Sequence, residues 1–344
     1  MKKSKHNILF TVYLILLFPP LFELAVRIIG YKPYQQISYS IESDPEFCLI
    51  PHPHLGFGLN PGTFQVKINQ GLRFSVSQNL DSCRITSFAP DSGNKPEILI
   101  MGCSYTYGFG VDDSLTYPFL LQKNLPDYHV KNLAVPGYGT VQSLLQLENA
   151  IEDGRVPETA IINYADFHDD RNVLSPAYRR SLYLGFLQSN PDLKQLMVEG
   201  KVPYVMKKGE NYEVVEESWL SVYQPWEGSG TWATVNFFQV ISENAAMIGM
   251  DKREASAEIF IRIRELCKKN GIRLIVAGLT DQARTHEMLE NLAEEGIETL
   301  DMSLDLRDND YNHLPYDSHP NEKAHAYFAK KVYEYLMLTP VDIM

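Results

Sequence analysis

Residues 98–108 read Ile98-Leu99-Ile100-Met101-Gly102-Cys103-Ser104-Tyr105-Thr106-Tyr107-Gly108. Four apolar residues run into a Gly-x-Ser, the mark of a buried strand ending in a turn. The same alternation continues downstream. Strand runs lie at Glu97–Met101, His129–Ala134, Thr159–Ile162, Ile272–Ala277 and Ile297–Leu300. Helical patterns lie at Tyr117–Asn124, Val141–Ile151, Ala255–Lys269, Gln282–Glu295 and Glu322–Leu336. Gly271 and Gly296 follow two of these runs, where a helix C-cap needs a residue free to turn left-handed. Apolar strands separated by helices predict an α/β fold with a parallel sheet covered on both faces.

In such a sheet, ligands bind beyond the carboxyl ends of the strands. Ser104 falls there, at the start of a following turn or helix, where its own N–H can help hold an oxyanion. A serine at this point also reads as a plain helix cap. The second candidate segment is Tyr316-Asp317-Ser318-His319-Pro320-Asn321-Glu322-Lys323-Ala324-His325, a loop leading into an amphipathic helix. A hydroxyl is a poor nucleophile without a base. A histidine can take its proton and return it to the leaving group, and a carboxylate can fix the imidazole tautomer. Asp317 and His319 supply those two groups; read alone, they also fit a solvated turn. His325 reads as a packing or surface residue. A metal set of His313, His319 and His325 has no recognised ligand spacing, and no metal or cofactor is expected.

Together the two segments resemble the SGNH (GDSL-like) hydrolase superfamily over roughly residues 96–336. Gly102-Cys103-Ser104 matches the block that carries the serine, with Cys103 in place of the usual Asp. Asn132-Leu133-Ala134-Val135-Pro136-Gly137-Tyr138-Gly139-Thr140 is similar to the block whose glycine N–H joins the oxyanion hole, here Gly137. Asp317 and His319 match the last block. The third block departs from the pattern: Asn163-Tyr164-Ala165-Asp166 puts Ala165 where the family has an oxyanion-hole Asn. His168, then Asn163, are the expected replacement donors, and Arg171, Asn172 and Tyr105 the expected substrate contacts. The resemblance implies a three-layer α/β/α sandwich with a mostly parallel, flavodoxin-like sheet of about five strands. It also implies a serine-dependent esterase with Ser104 as nucleophile, His319 as base and Asp317 as its orienting carboxylate. An O-acylated envelope carbohydrate or a lipid-like ester is the expected substrate class. An O-acyltransferase of an extracellular polysaccharide, and a non-catalytic carbohydrate-binding or assembly protein on the same fold, are the alternatives.

The flanking sequence sets the location. Lys2, Lys3 and Lys5 precede a mostly apolar run to Ile29, broken by Glu23 and Arg27. That is close to the ~20 residues a bilayer span needs. Basic residues at its start and no small-residue cleavage site predict an uncleaved signal anchor over residues 1–30, with the rest of the chain outside the cytoplasm. A cleaved signal peptide is the alternative. Glu23 and Arg27, four apart, are placed to pair. Phe22–Tyr31 and Gly56–Gly62 also resemble bacterial membrane-anchored members of the superfamily.

Residues 31–90 read as a linker and a small β-rich segment, with a hairpin at Phe64–Ile68 and Leu72–Val76 turning on Asn69-Gln70-Gly71. An irregular extended segment is the other reading. The hydrolase-like part then occupies 91–344. Its alternation stops at about 173–250, an insertion that holds all three tryptophans, Trp219, Trp226 and Trp232. It reads either as a satellite core or as a cap over the site. A formal net charge of −12 over 344 residues, with no basic stripe, argues against nucleic acid or anionic lipid as the main partner. Cys48 and Cys83 are a possible disulfide pair. Oligomeric state is left open.

Overall fold

The computed structural model describes residues 2–35, 40–69, 71–90, 93–188 and 200–339. Five strands form the central sheet: β6 (Glu97–Met101), β7 (His129–Asn132), β8 (Thr159–Tyr164), β11 (Arg273–Thr280) and β12 (Glu298–Leu304). Every neighbouring pair is parallel, and the spatial order is β12-β11-β8-β6-β7. Counted along the chain this is 2-1-3-4-5, the flavodoxin-like order, with its switch point between β6 and β8.

The pleat sorts the strand residues between two cores. Leu99, Met101, Ala160, Ile162, Leu274 and Val276 face α4 (Thr140–Glu152), α9 (Lys252–Asn270) and α10 (Ala283–Glu294). Ile98, Ile100, Ile161, Ile275 and Ala277 face α3 (Tyr117–Asn124) and α11 (Glu322–Leu338). The sandwich therefore has three layers, and its strands read as continuous apolar runs because both faces are covered.

The predicted hairpin forms. In β4 (Gly62–Ile68) and β5 (Leu72–Gln78), Phe64 pairs with Val76 and Ile68 with Leu72. The strand β1 (Ile41–Asp44) extends this sheet, and β2 (Leu49–His52) pairs with β3 (Gly56–Leu59). The inward residues of these strands share one core with the insertion. Phe57, Phe64, Val66 and Phe74 join Val202, Trp219 and Val222, and Trp219 donates its indole N–H to Gly56 O at 2.8 Å. The helix α5 (His168–Asn172) precedes the insertion, within which lie α6 (Pro176–Leu182), the hairpin β9 (Lys201–Lys208) and β10 (Asn211–Ser218), α7 (Trp219–Val222) and α8 (Ala233–Ala245). The four cysteines are free; Cys48 and Cys83 do not pair.

Arg84 connects the small antiparallel sheet to the central one. Its backbone bridges Gln78 of β5 and Asn132 of β7. Its fully buried guanidinium donates to Asp113 Oδ1 (2.8 Å), Tyr107 O (3.1 Å), Gly108 O (2.6 Å), Ser75 O (3.1 Å) and Val111 O (2.7 Å). All five N–H groups are thus satisfied. Removing one partner of a buried pair strands the other, so Arg84→Met should destabilise the full chain by about 3–5 kcal/mol. Chemical denaturation in detergent micelles measures this. Adding Asp113→Leu should recover only part of the loss, because the Ser75, Tyr107, Gly108 and Val111 carbonyls each still lose a donor.

Candidate active site

Ser104 opens α2 (Ser104–Tyr107), directly after β6. Gly102 makes the turn possible: its φ is +154°, and a Cβ there would lie 2.5 Å from Thr106 Oγ1 and 3.1 Å from Asn163 Cβ. Asp317 and His319 lie not on a loop but in a short strand, β14 (Asp317–Pro320), paired with β13 (Asn312–His313). Residues two apart on a strand share a face, which brings the two side chains together. Asn321 holds the strand in place. Its amide donates to Asp310 O and Asn312 O, and its carbonyl oxygen caps α11 by accepting from the N–H groups of Lys323 and Ala324.

Ser104 Oγ and His319 Nε2 lie 2.9 Å apart. His319 Nδ1 is hydrogen-bonded to Asp317 Oδ1, which also accepts the His319 backbone N–H at 2.7 Å. Asp317 is buried and the imidazole partly exposed. Two aromatic rings flank the imidazole: Tyr105 edge-on with centroids at 5.3 Å, and Phe109 at 4.8 Å. Tyr105 was expected near the site, whereas Phe109 carried no sequence signal beyond its place shortly after the serine.

Gly137 sits in the turn after β7, tied to the serine turn by the Val135 N–H on Gly102 O at 3.2 Å. Its φ of +93° and the Phe57 ring, 3.0 Å from where a Cβ would be, require a glycine. The Tyr178 hydroxyl donates to Gly137 O, and Arg171 donates to Tyr138 O at 2.8 Å. The loop is therefore held through its carbonyls. Among the described residues, no backbone carbonyl takes the N–H of Ser104 or Gly137.

Three of the expected side chains are turned away from this surface. Asn163 is fully buried, and its amide donates to Met101 O (3.0 Å) and the Tyr117 hydroxyl (2.6 Å), so it ties β8 to β6 and α3. Asn172, also fully buried, accepts the Val141 N–H at 3.1 Å and donates to Ser256 Oγ at 2.9 Å. It serves the first turn of α4 rather than a substrate. His168 is 0% exposed, edge-on to both Tyr164 and Phe167, with neither ring nitrogen bonded among the described residues. An atom that no water can touch cannot meet an incoming ester, so His168 is corrected, with Asn163, as an oxyanion donor. Ala165 is itself enclosed. Arg171 differs. It stays partly exposed, with its guanidinium 4.4 Å above the Phe167 ring, which in turn meets Tyr105 at 5.3 Å.

Burial keeps His168 neutral, its pKa well below the ordinary value, with the Arg171 charge adding to the effect. Burial likewise lowers His325 to about 3; its ring accepts the Tyr117 N–H at 3.2 Å and packs inside α11. The sign follows from linkage. Below pH 6.5 the unfolded chain binds protons at these two rings and the folded chain does not, so stability falls as pH falls. Each ring should contribute a loss of up to about 1.4 kcal/mol per pH unit. Thermal melts between pH 7 and 5, near the range where ordinary histidines titrate, should show this slope, and His168→Gln with His325→Gln should flatten it.

No family model and no curated protein matches the chain. Among solved structures, it is similar to a member of the lipolytic protein G-D-S-L family from Veillonella parvula, with 16% identity, 71% of this chain and 99% of that chain covered, and a TM-score of 0.39. A psychrotrophic esterase from Pseudoalteromonas sp. is similar at 11% identity, covering 71% of this chain and 100% of that chain, with a TM-score of 0.39. A GDSL-like lipase from Bacteroides thetaiotaomicron is similar at 11% identity, covering 73% and 92%, with a TM-score of 0.38.

Proposed function

We propose that the chain is a serine ester hydrolase, held at the membrane by its N-terminal helix with the catalytic part outside the cytoplasm. The observation that carries the reading is the 2.9 Å approach of His319 Nε2 to Ser104 Oγ, with Asp317 on the other ring nitrogen. Oγ attacks the acyl carbon as its proton moves to His319 Nε2. Asp317 accepts from Nδ1–H, which keeps Nε2 free as the base and stabilises the imidazolium. The developing oxyanion takes the N–H groups of Ser104 and Gly137, two backbone donors that need no side-chain Asn. His319 then protonates the departing alkoxide, and the alcohol leaves an acyl-Ser104. A water gives its proton to His319 and its oxygen to the acyl carbon. The carboxylic acid departs, and Oγ recovers its proton.

The substrate class in this reading is an O-acyl ester of an envelope carbohydrate or lipid-like alcohol. Tyr105 and the partly exposed Arg171 are its proposed contacts. Location is read from the helix α1 (Lys2–Ile28), whose segment Phe10–Ile28 is long and apolar enough to cross a membrane. The basic residues cluster ahead of that segment.

A fluorophosphonate probe should label the wild-type chain and not Ser104→Ala. Asp317→Asn should lower turnover of an activated acetyl ester about 10⁴-fold with the fold intact. An unlabelled wild type would instead favour the non-catalytic carbohydrate-binding or assembly reading. For location, a C-terminal alkaline phosphatase fusion should be active and a C-terminal β-galactosidase fusion inactive. The reverse pattern would put the catalytic part inside the cell.

A further inference from the structure

The two charges that interrupt the apolar N-terminal helix have partners far along the chain. Glu23 accepts the backbone N–H groups of Ala233 (2.9 Å) and Thr234 (2.8 Å), the first two residues of α8. The residue before α8, Trp232, has no side-chain cap to offer, so a carboxylate from another helix supplies it. Arg27 donates to Glu23 at 2.7 Å. Asn236 of α8 donates to Lys32 O at 2.8 Å, and the Tyr34 N–H meets Ser229 O at 2.8 Å. The rings of Phe18, Phe22 and Phe238 stack in succession, at 5.6 and 5.9 Å, so one apolar ladder runs from α1 onto α8.

The outer face of α8 has no charge. Residues 233–250 contain a single ionisable group, Glu243, which is turned inward to accept from Gln239 and pair with Arg180. On the outer side, Phe238 and Ile241 are exposed three residues apart on α8, and Ile248, in the turn that follows it, is 84% exposed. Trp226 and Trp232 are exposed beside them. The neighbouring α1, whose Phe22 stacks on Phe238, carries exposed Leu21, Leu24 and Ile28.

We propose that α8 and the two exposed tryptophans form a second membrane contact, lying in the headgroup boundary where α1 leaves the bilayer. This rests on the reading of α1 as a retained membrane anchor. The occupant is the lipid surface because the patch adjoins the anchor through the stacked Phe22 and Phe238 rings. It also places tryptophans at its margin, as interfacial belts do. The uncharged face makes the contact apolar in origin, so it needs no anionic lipid. Glu23 then fixes the angle between anchor and catalytic part instead of leaving them on a free tether.

The test uses the full chain in phosphatidylcholine vesicles with brominated acyl chains, which quench tryptophan only on contact with lipid. In a Trp226→Phe, Trp232→Phe background, Trp219 is the remaining native reporter; it is fully buried and should stay unquenched. Added to that background, Leu16→Trp reports the anchor and Ile248→Trp reports the α8 patch. Loss of emission from both added reporters is the expected result. Quenching of the Leu16→Trp reporter by lipid, with the Ile248→Trp reporter quenched only by aqueous iodide, would overturn the lipid contact and leave the anchor standing. An Ile248→Trp reporter shielded from both quenchers would mean that protein, such as a second copy, covers the face, which also overturns it. No lipid quenching at Leu16→Trp would remove the anchor reading itself and this inference with it.

Discussion

The Arg84 guanidinium is the contact on which the geometry of the site depends. Its donors reach Ser75 in the hairpin and Tyr107, Gly108, Val111 and Asp113 in the segment after the serine. That segment begins with α2 and includes Phe109, which packs on His319. A buried cation must be met on all sides. Meeting this one locks the segment that follows Ser104 and carries the Phe109 ring beside His319. The β-rich segment ahead of the sandwich is thus part of the scaffold of the site.

The site also follows from sheet topology. At the switch point of a 2-1-3-4-5 sheet, the chain leaves the two adjacent parallel strands, β6 and β8, towards opposite faces of the sheet and opens a crevice at their carboxyl ends. Ser104 leaves β6 there, and the Gly137 loop leaves the adjacent β7, tied to the serine turn by the Val135 N–H on Gly102 O. His319 arrives from the far end of the chain on β14, which packs against α2 and is pinned by Asn321. Ala165, Asn163 and His168 are all sealed within the fold.

The insertion has two faces with different partners. Inward, Trp219 and Val202 complete the core of the β-rich segment. Outward, α8 takes its N-terminal cap from Glu23 of the apolar helix. Residues from near 23, 57 and 219 are thereby tied into one body, although the sequence presents them as anchor, linker and insertion.

Where local chemistry decides, the sequence determined the outcome. Apolar runs, turn glycines and amphipathic periods marked the five strands and their helices to within a few residues, because burial on both sheet faces leaves a continuous apolar signature. Gly102-Cys103-Ser104 and Asp317-x-His319, paired through the family resemblance, marked three side chains that the structure brings together. Tertiary structure decided which polar residues are sealed in the fold and which stay partly exposed. Asn163 lies near the end of β8, and His168 and Asn172 follow that strand as Arg171 does, and no period distinguishes them. Only packing showed that Met101 O, the Tyr117 hydroxyl, Ser256 and two aromatic rings had already claimed the first three. It likewise gave Glu23 a partner 210 residues away, because a helix end seeks any carboxylate that the fold brings near, and sequence distance does not enter that choice.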